Sequence, residues 1–214
     1  MDSRSSRFRV FRVVESVRHL NLYDVESARL YTVYETGYPD RQADVDALRT
    51  GDLVEATLSG DADADEEPWR LEAFERVGGV EMSFAVDADP PAVAGDLWGD
   101  GRESPAYAVL TEDDEPVGAC LVQPREPLPN GAFVPNVVAG LVPMESELRS
   151  VPGVDAPAAE ALFVDPDPPD AATYAAPFGV AMLFTDAAET LPARFRTAYD
   201  HAPAADLEFD PYAV

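Results

Sequence analysis

Apolar and polar residues alternate along short stretches of the first 90 residues, and this pattern predicts β-strands. The predicted strands are residues 7–15, 30–36, 52–59, 69–77 and 80–86. A Gly78-Gly79 pair predicts that the last two strands form a hairpin. Five strands in so short a segment favour a small antiparallel β-barrel or sandwich.

The first predicted strand carries arginines on one side and apolar residues on the other. Arg7 and Arg9 share one face, because side chains two residues apart point the same way. Phe8 and Val10 share the opposite face. From Phe11 onward the order of apolar and polar positions reverses, which predicts a β-bulge near Val10 and Phe11.

Prolines and glycines accumulate over residues 88–105, and this stretch divides the chain. We therefore expect a β-barrel-like module at residues 1–90, an α+β module at 105–200 and a poorly ordered tail at 201–214. The predicted fold class is α+β, with a small antiparallel N-terminal β-barrel followed by a proline-rich half.

The second module contains longer apolar runs than the first. The expected elements are a hairpin of residues 107–111 and 117–122, buried strands at 161–164 and 179–184, a short helix at 144–150, and a last helix from residue 185 or 186 to about 199. Residues 131–142 are apolar but interrupted by Pro135, which indicates a buried loop or a short strand.

Residues 48–60, LRTGDLVEATLSG, are similar to the third-strand region of OB-fold barrels, where Gly51-Asp52 would form the turn before the strand. The resemblance implies an OB-like barrel in the N-terminal half. In such barrels the first strand contributes to the usual ligand face, and nucleic acid is a frequent ligand.

The hairpin AVLTEDDEPVGACLV and the later strand ALFVDP resemble parts of the GNAT superfamily of N-acetyltransferases. Members of that superfamily bind the pyrophosphate of acetyl-CoA with a glycine-rich turn that follows an arginine. Residues 165–170, DPDPPD, contain no glycine and no arginine, and their three carboxylates would repel a phosphate. Acetyl transfer is therefore rejected, and no cofactor is expected.

Other catalytic and metal-binding signatures fail on particular residues. The chain has no Walker A, G-x-G-x-x-G or G-x-S-x-G motif, and its single Cys120 falls within an apolar strand. Four acids have the spacing of an EF-hand loop, but Glu66 stands where that loop needs glycine; they are Asp61, Asp63, Asp65 and Glu72. No catalytic residue and no metal site are expected. An enzyme of a class without a recognisable signature is the alternative.

The charge of the chain indicates its environment rather than its partner. Asp and Glu number 41 against 15 cationic residues, all of them Arg, for a net charge of −26. At a Debye length of roughly 3 Å in 1 M salt, most of the resulting repulsion is screened. The composition and the chain as a whole resemble haloarchaeal proteins, which implies a halophilic protein. Since no leader and no long apolar run are apparent, we expect a cytoplasmic location and no membrane contact.

Residues 1–18 are the exception, because they hold more arginines than acids. We expect a non-catalytic binding module whose barrel contacts single-stranded nucleic acid, or else a protein partner. The candidate residues are Arg7, Arg9, Arg12, Tyr31, Tyr34 and Trp69. The alternative is that the arginines pair with acids of neighbouring strands and the aromatic residues fill the core. The first interpretation requires nucleic-acid binding that weakens when all three arginines become Ala.

Overall fold

The computed structural model describes residues 2–12, 18–62, 67–99 and 103–207. Most of its regular structure is β-strand, arranged in one sheet of five strands and one of six, with a few short helices. The expected α+β class is confirmed. Across the described residues, no helix has the length and apolar character needed to cross a membrane.

The first sheet is antiparallel, with the strand order β3-β2-β1-β4-β5. Its strands are β1 (Asp2–Arg12), β2 (His19–Asp24), β3 (Arg29–Tyr34), β4 (Asp52–Gly60) and β5 (Arg70–Gly79). Helix α1 (Gln42–Asp46) connects β3 to β4 and buries Val45 against the sheet.

The two edges of this sheet meet beside Trp69. Val33 and Trp69 form an isolated parallel bridge. The Trp69 N–H donates to the Thr32 carbonyl at 2.8 Å, and the Tyr34 N–H donates to the Trp69 carbonyl at 3.0 Å. The sheet therefore curls until β3 and the start of β5 are hydrogen-bonded, and it encloses an apolar core of residues such as Phe8, Val10, Leu20, Leu22 and Leu58.

The sequence predicts five strands here, but not the correct five. Strand β2 lies where no strand is predicted, whereas the strand predicted at residues 80–86 joins the other sheet as β6 (Glu81–Val86). The prediction of a hairpin across Gly78-Gly79 is wrong, because β5 pairs with β4 up to Gly79. The chain then leaves the first sheet at Val80, and Met82 and Phe84 are buried in the second core.

The bulge predicted near Val10 and Phe11 is also wrong. Strand β1 pairs with β2 in an unbroken register from Phe8 to Arg12. Phe11 therefore lies on the same face as Arg9, and both side chains are buried. The order of apolar and polar positions changes after Val10 because both faces of β1 are covered from Phe8 to Phe11, so apolar residues occur on each face. Residues 13–15 of the predicted strand lie outside the described residues.

The second sheet has the order β11-β6-β9-β10-β8-β7, and only β6 and β9 run parallel. Its other strands are β7 (Ala106–Glu112), β8 (Glu115–Pro124), β9 (Glu160–Asp165), β10 (Phe178–Phe184) and β11 (Ala202–Pro203). The predicted hairpin forms as β7 and β8, and the predicted buried strands form as β9 and β10. Apolar clusters cover both faces of this sheet, as its continuous apolar strands require.

Three helices complete the second half: α2 (Ala92–Leu97), α3 (Val134–Val138) and α4 (Leu191–Ala198). Helix α3 replaces the buried loop or strand expected at residues 131–142, because Pro135 fits the first turn of a helix. Helix α4 begins later than predicted, with Pro192 in its first turn. A 3₁₀ helix, Met144–Ser150, forms where a short helix is expected.

The first described residues of the C-terminal segment pair with the second sheet. Strand β11 pairs with Phe84 and Ser83 of β6, and a 3₁₀ helix follows over Ala204–Asp206. The rest of the expected tail, residues 208–214, lies outside the described residues.

A buried arginine anchors the acidic loop after β9. Arg125, at the end of β8, forms ion pairs with Asp165 and with Asp167, the latter at 3.0 Å. Its Nε donates to the Ala176 carbonyl at 2.8 Å, and its guanidinium lies 4.1 Å from the ring centre of Tyr174. Two carboxylates of the DPDPPD stretch are thus neutralised within the chain.

The two sheets meet where Phe11 of β1 packs on the turn after α3. Gly140 there has a φ of +75°, and a Cβ added to it would lie 2.5 Å from Cδ2 of Phe11. Beside it, the Asn21 Nδ2 donates to the Ala139 carbonyl at 2.8 Å. Glycine is therefore needed at position 140 both for its backbone conformation and for the approach of Phe11.

We predict that Gly140→Ala destabilises the protein more than Gly153→Ala does. Both glycines have positive φ, but a Cβ at Gly153 (φ +86°) would meet nothing within 4 Å. The strain of a left-handed alanine is common to both variants, so the difference measures the clash with Phe11. That difference should be about 1–3 kcal/mol in the free energy of unfolding, measured by urea denaturation in molar KCl. Equal losses would show that Phe11 does not pack on Gly140.

Candidate nucleic-acid interface

The six candidate residues do not share one exposed surface. Tyr31 points into the first core, where its ring meets Phe8 edge to face at 5.9 Å. Arg9 points the opposite way, into the contact between the two sheets, and only 8% of it is exposed. These two side chains are therefore not available to a ligand that approaches from solvent.

Arg12 holds the end of α1. Its Nε donates to the Leu48 carbonyl at 3.2 Å, and its Nη2 donates to the Val45 carbonyl at 3.0 Å. Its remaining terminal nitrogen forms an ion pair with Glu35. A cation on the last carbonyls of a helix is stabilising, so Arg12 has a structural contact at each of its nitrogens.

Arg7 is the most exposed of the three N-terminal arginines. It lies opposite Glu55 of β4, and its Nε is 3.5 Å from a carboxylate oxygen of Glu26. Its surroundings match the alternative in which arginines pair with acids of neighbouring strands. Because Arg9 and Arg12 hold internal contacts, replacing all three arginines with Ala would also remove structural interactions.

Arg9 faces a buried carboxylate across the contact between the sheets. Its Nη1 donates to the Gly51 carbonyl at 2.8 Å, while its Nε lies 3.6 Å from Oε1 of Glu145 without a hydrogen bond. Within the described ranges, Arg9 Nε and both Glu145 oxygens are the buried side-chain polar atoms that lack a hydrogen-bond partner. The outer face of β1 is therefore closed by an ion pair that contributes little through hydrogen bonding.

Burial raises the pKa of the Glu145 carboxyl group to about 7. The positive charge of Arg9 opposes this shift, and the negative charge of Glu147 adds to it. Desolvation is the dominant cause because the carboxyl group is buried away from solvent.

We predict that this group makes stability fall as the pH rises. Its pKa is raised above the ordinary value of 4.5, so the folded protein binds the proton more tightly than the unfolded chain. The stabilisation is complete below the unfolded pKa and is lost as the pH passes about 7. The free energy of unfolding should decrease by about 3 kcal/mol from this group between about pH 5 and about pH 8.

The comparison of two variants isolates the contribution of Glu145. In Glu145→Gln the free energy of unfolding should no longer show this decrease with rising pH. In Glu147→Gln, which changes an exposed neighbour, the decrease should remain. The measurement is urea unfolding at several pH values in molar KCl. Parallel curves for the wild type and Glu145→Gln would contradict the assignment.

Tyr34 lies in a different setting, among cationic side chains at one end of the first sheet. The Arg70 guanidinium lies 5.4 Å from the centre of its ring, and the His19 ring lies 5.9 Å away at an angle. Arg41 lies 6.0 Å from the ring centre of the neighbouring Tyr38. We refer to His19, Tyr34, Arg41 and Arg70 as the Tyr34 surface.

Tyr38 fixes the base of this surface. Its hydroxyl donates to the Tyr34 carbonyl at 2.6 Å and accepts from the Leu71 N–H at 3.2 Å, so it joins β3 to β5. A hollow of about 420 Å³ lies beside it, between residues 37–41 and 70–72. Gly37 has a φ of +97°, and its missing side chain leaves room for the Arg70 guanidinium.

The arginines of the Tyr34 surface are not neutralised. Arg41 and Arg70 form no ion pair with any residue in the described ranges, although Asp40 and Glu72 line the same hollow. Sequence reasoning selected Tyr34 but missed these arginines, because it looked for cations only in residues 1–18. Trp69 is half-buried at the point where β3 meets the start of β5. Its ring centre lies 5.1 Å from that of Tyr31.

The remaining chemistry-bearing residues are placed away from this surface. Cys120 is buried in β8, and burial raises the pKa of its thiol to about 12, which fits a structural thiol and not a nucleophile. No group of three or more His, Cys, Asp or Glu side chains arranged for a metal ion occurs among the described residues. Asp63 and Asp65 of the EF-hand-like spacing lie outside them.

Comparisons of the chain with protein-family models, with curated proteins and with solved structures found no match. The function is therefore inferred from the geometry of the molecule alone.

Proposed function

We propose that the protein is an interaction module with an OB-like N-terminal barrel, and that it binds single-stranded nucleic acid through the Tyr34 surface. Three features support the barrel. Strand β1 pairs with both β2 and β4, helix α1 lies between β3 and β4, and the edge strands meet in parallel at Val33 and Trp69. OB folds are five-stranded, partly open Greek-key barrels, and this strand order fits them.

The position of the Tyr34 surface within the sheet supports the same proposal. His19 begins β2, Tyr34 ends β3 and Arg70 begins β5. In sequence, His19 follows the segment that joins β1 to β2, and Arg70 follows the segment that joins β4 to β5. OB folds bind oligonucleotides with strands 2 and 3 and with these two connections.

The observation that carries the proposal is the half-exposed ring of Tyr34 beside Arg70, with Arg41 on the neighbouring Tyr38, in a chain of net charge −26. Neither arginine forms an ion pair with a described residue. An aromatic ring stacks on any base, at about 1–3 kcal/mol per base. Arginine adds bidentate contact with phosphate. Stacking matters most here, because molar salt weakens phosphate contacts.

Binding of labelled single-stranded RNA and DNA in molar KCl tests the proposal, with fluorescence anisotropy as the measurement. We predict that Tyr34→Ala raises the dissociation constant by about 10-fold or more, and that Tyr34→Phe binds like the wild type because the ring remains. Arg70→Ala should weaken binding, with a smaller effect at higher salt.

Arg194→Ala is the matched control for charge, because Arg194 is exposed on α4 and forms no ion pair with any residue in the described part of the chain. It should leave the affinity unchanged. The proposal is overturned if the wild type binds neither RNA nor DNA, or if Tyr34→Ala binds as tightly as the wild type.

A further inference from the structure

A second cavity lies between the end of the first sheet and strands β6 and β11 of the second. This inter-sheet cleft has a volume of about 900 Å³, within the range of small-molecule sites. Three arginines and a histidine line it: Arg12, Arg49, Arg76 and His201. The cleft is separate from the Tyr34 surface, and none of the residues of that surface lines it.

The cationic side chains reach the cleft from four separate segments. Arg12 ends β1, Arg49 follows α1, Arg76 lies in β5 and His201 precedes β11. The whole chain has 15 arginines and 2 histidines. Three of those arginines and one of those histidines line this one cavity, which is a strong local departure from the acidic composition of the chain. Charged groups that converge on a cleft between two sheets are typical of a ligand site.

Two of the three carboxylates of the cleft are already engaged by the chain. Asp52 is buried and accepts from the Arg49 backbone N–H at 2.8 Å, and it forms an ion pair with Arg76 Nε at 2.8 Å. Asp46 accepts from the side chain of Gln42 at 2.9 Å. Glu81, at the rim, is the third acid and is exposed.

Several cationic nitrogens remain without a partner in the described part of the chain. They are the Arg49 guanidinium and the two terminal nitrogens of Arg76, whose Nε alone reaches Asp52. His201 places Nδ1 3.1 Å from the Tyr199 carbonyl, which leaves Nε2 for another group. By contrast, each guanidinium nitrogen of Arg12 already has a partner. These partners are the Glu35 carboxylate and the carbonyls of Val45 and Leu48.

One wall of the cleft is apolar. Val80, Met82 and Ala204 line it, and each belongs to the core of the second half. A ligand that fits both walls combines an anionic group with a flat or apolar part.

We propose that the inter-sheet cleft binds a mononucleotide. Its phosphate contacts Arg49, the terminal nitrogens of Arg76 and Nε2 of His201, and its base lies against Val80 and Met82. This site is independent of nucleic-acid binding at the Tyr34 surface, so either proposal can fail alone.

Isothermal titration calorimetry in molar KCl tests the site with AMP, ATP, inorganic phosphate and a single-stranded oligonucleotide as separate probes. The wild type should bind AMP and ATP more tightly than inorganic phosphate, because phosphate cannot use the apolar wall. Arg49→Ala should raise the dissociation constant of AMP about 10-fold, as expected for loss of one hydrogen bond to a charged group. Arg49 has no internal side-chain partner, so this variant should fold normally.

Two controls separate this site from the Tyr34 surface. Arg194→Ala and Tyr34→Ala should both bind AMP like the wild type, and Arg49→Ala should bind the oligonucleotide like the wild type. The proposal is overturned if the wild type binds no nucleotide, if Arg49→Ala binds AMP unchanged, or if AMP binding is lost in Tyr34→Ala instead. Equal affinities for AMP and inorganic phosphate would also overturn it, because the base would then contribute nothing.

Discussion

The rest of the structure depends on strand β1, whose segment from Phe8 to Phe11 is buried on both faces. Phe8 and Val10 fill the core enclosed by the first sheet, while Arg9 and Phe11 face the second half of the chain. A strand in a small antiparallel sheet ordinarily keeps one face in water. Here, separating the halves would expose Phe11 and break the contact of Arg9 with Glu145. Strand β1 therefore supplies the apolar and ionic contacts between the two sheets, and Asn21 of the neighbouring strand β2 adds a hydrogen bond to the Ala139 carbonyl.

This double burial determines which arginines can meet a ligand. In a chain without lysine, arginine supplies both internal cations and surface cations. Arg9, Arg12 and Arg125 are used internally, where their donors satisfy carbonyls and carboxylates. Among the arginines without an ion pair to any described residue, Arg41 and Arg70 lie at the Tyr34 surface and Arg49 lies in the inter-sheet cleft. An excess of arginine near the N-terminus thus marks an internal contact more than a binding site.

The sequence predicted elements whose signal is local. The continuous apolar runs of β9 and β10 and the β7–β8 hairpin were found because burial on both faces leaves a distinctive pattern. Strand β2 also carries an alternation, with Leu20 and Leu22 inward, although the sequence analysis predicts no strand there. The Gly78-Gly79 hairpin failed for another reason, since burial of Met82 and Phe84 in the second core overrides a local turn preference.

The candidate site was less predictable than the fold. Tyr34 was identified, but its pairing with Arg70 depends on the meeting of β3 and β5, which are distant in sequence. Likewise, nothing near Arg9 in the chain indicates that Glu145 will cover it. Such contacts arise from topology, and no spacing rule in a single sequence contains them.

Native-state hydrogen exchange in molar KCl tests the central role of β1 most directly. If β1 joins the two sheets into one cooperative unit, the amides of Phe8, Val10 and Phe11 should exchange only through global unfolding, with the same free energy of opening as those of β9 and β10. The account is contradicted if strands β1–β5 open at a clearly lower free energy while β9 and β10 remain protected.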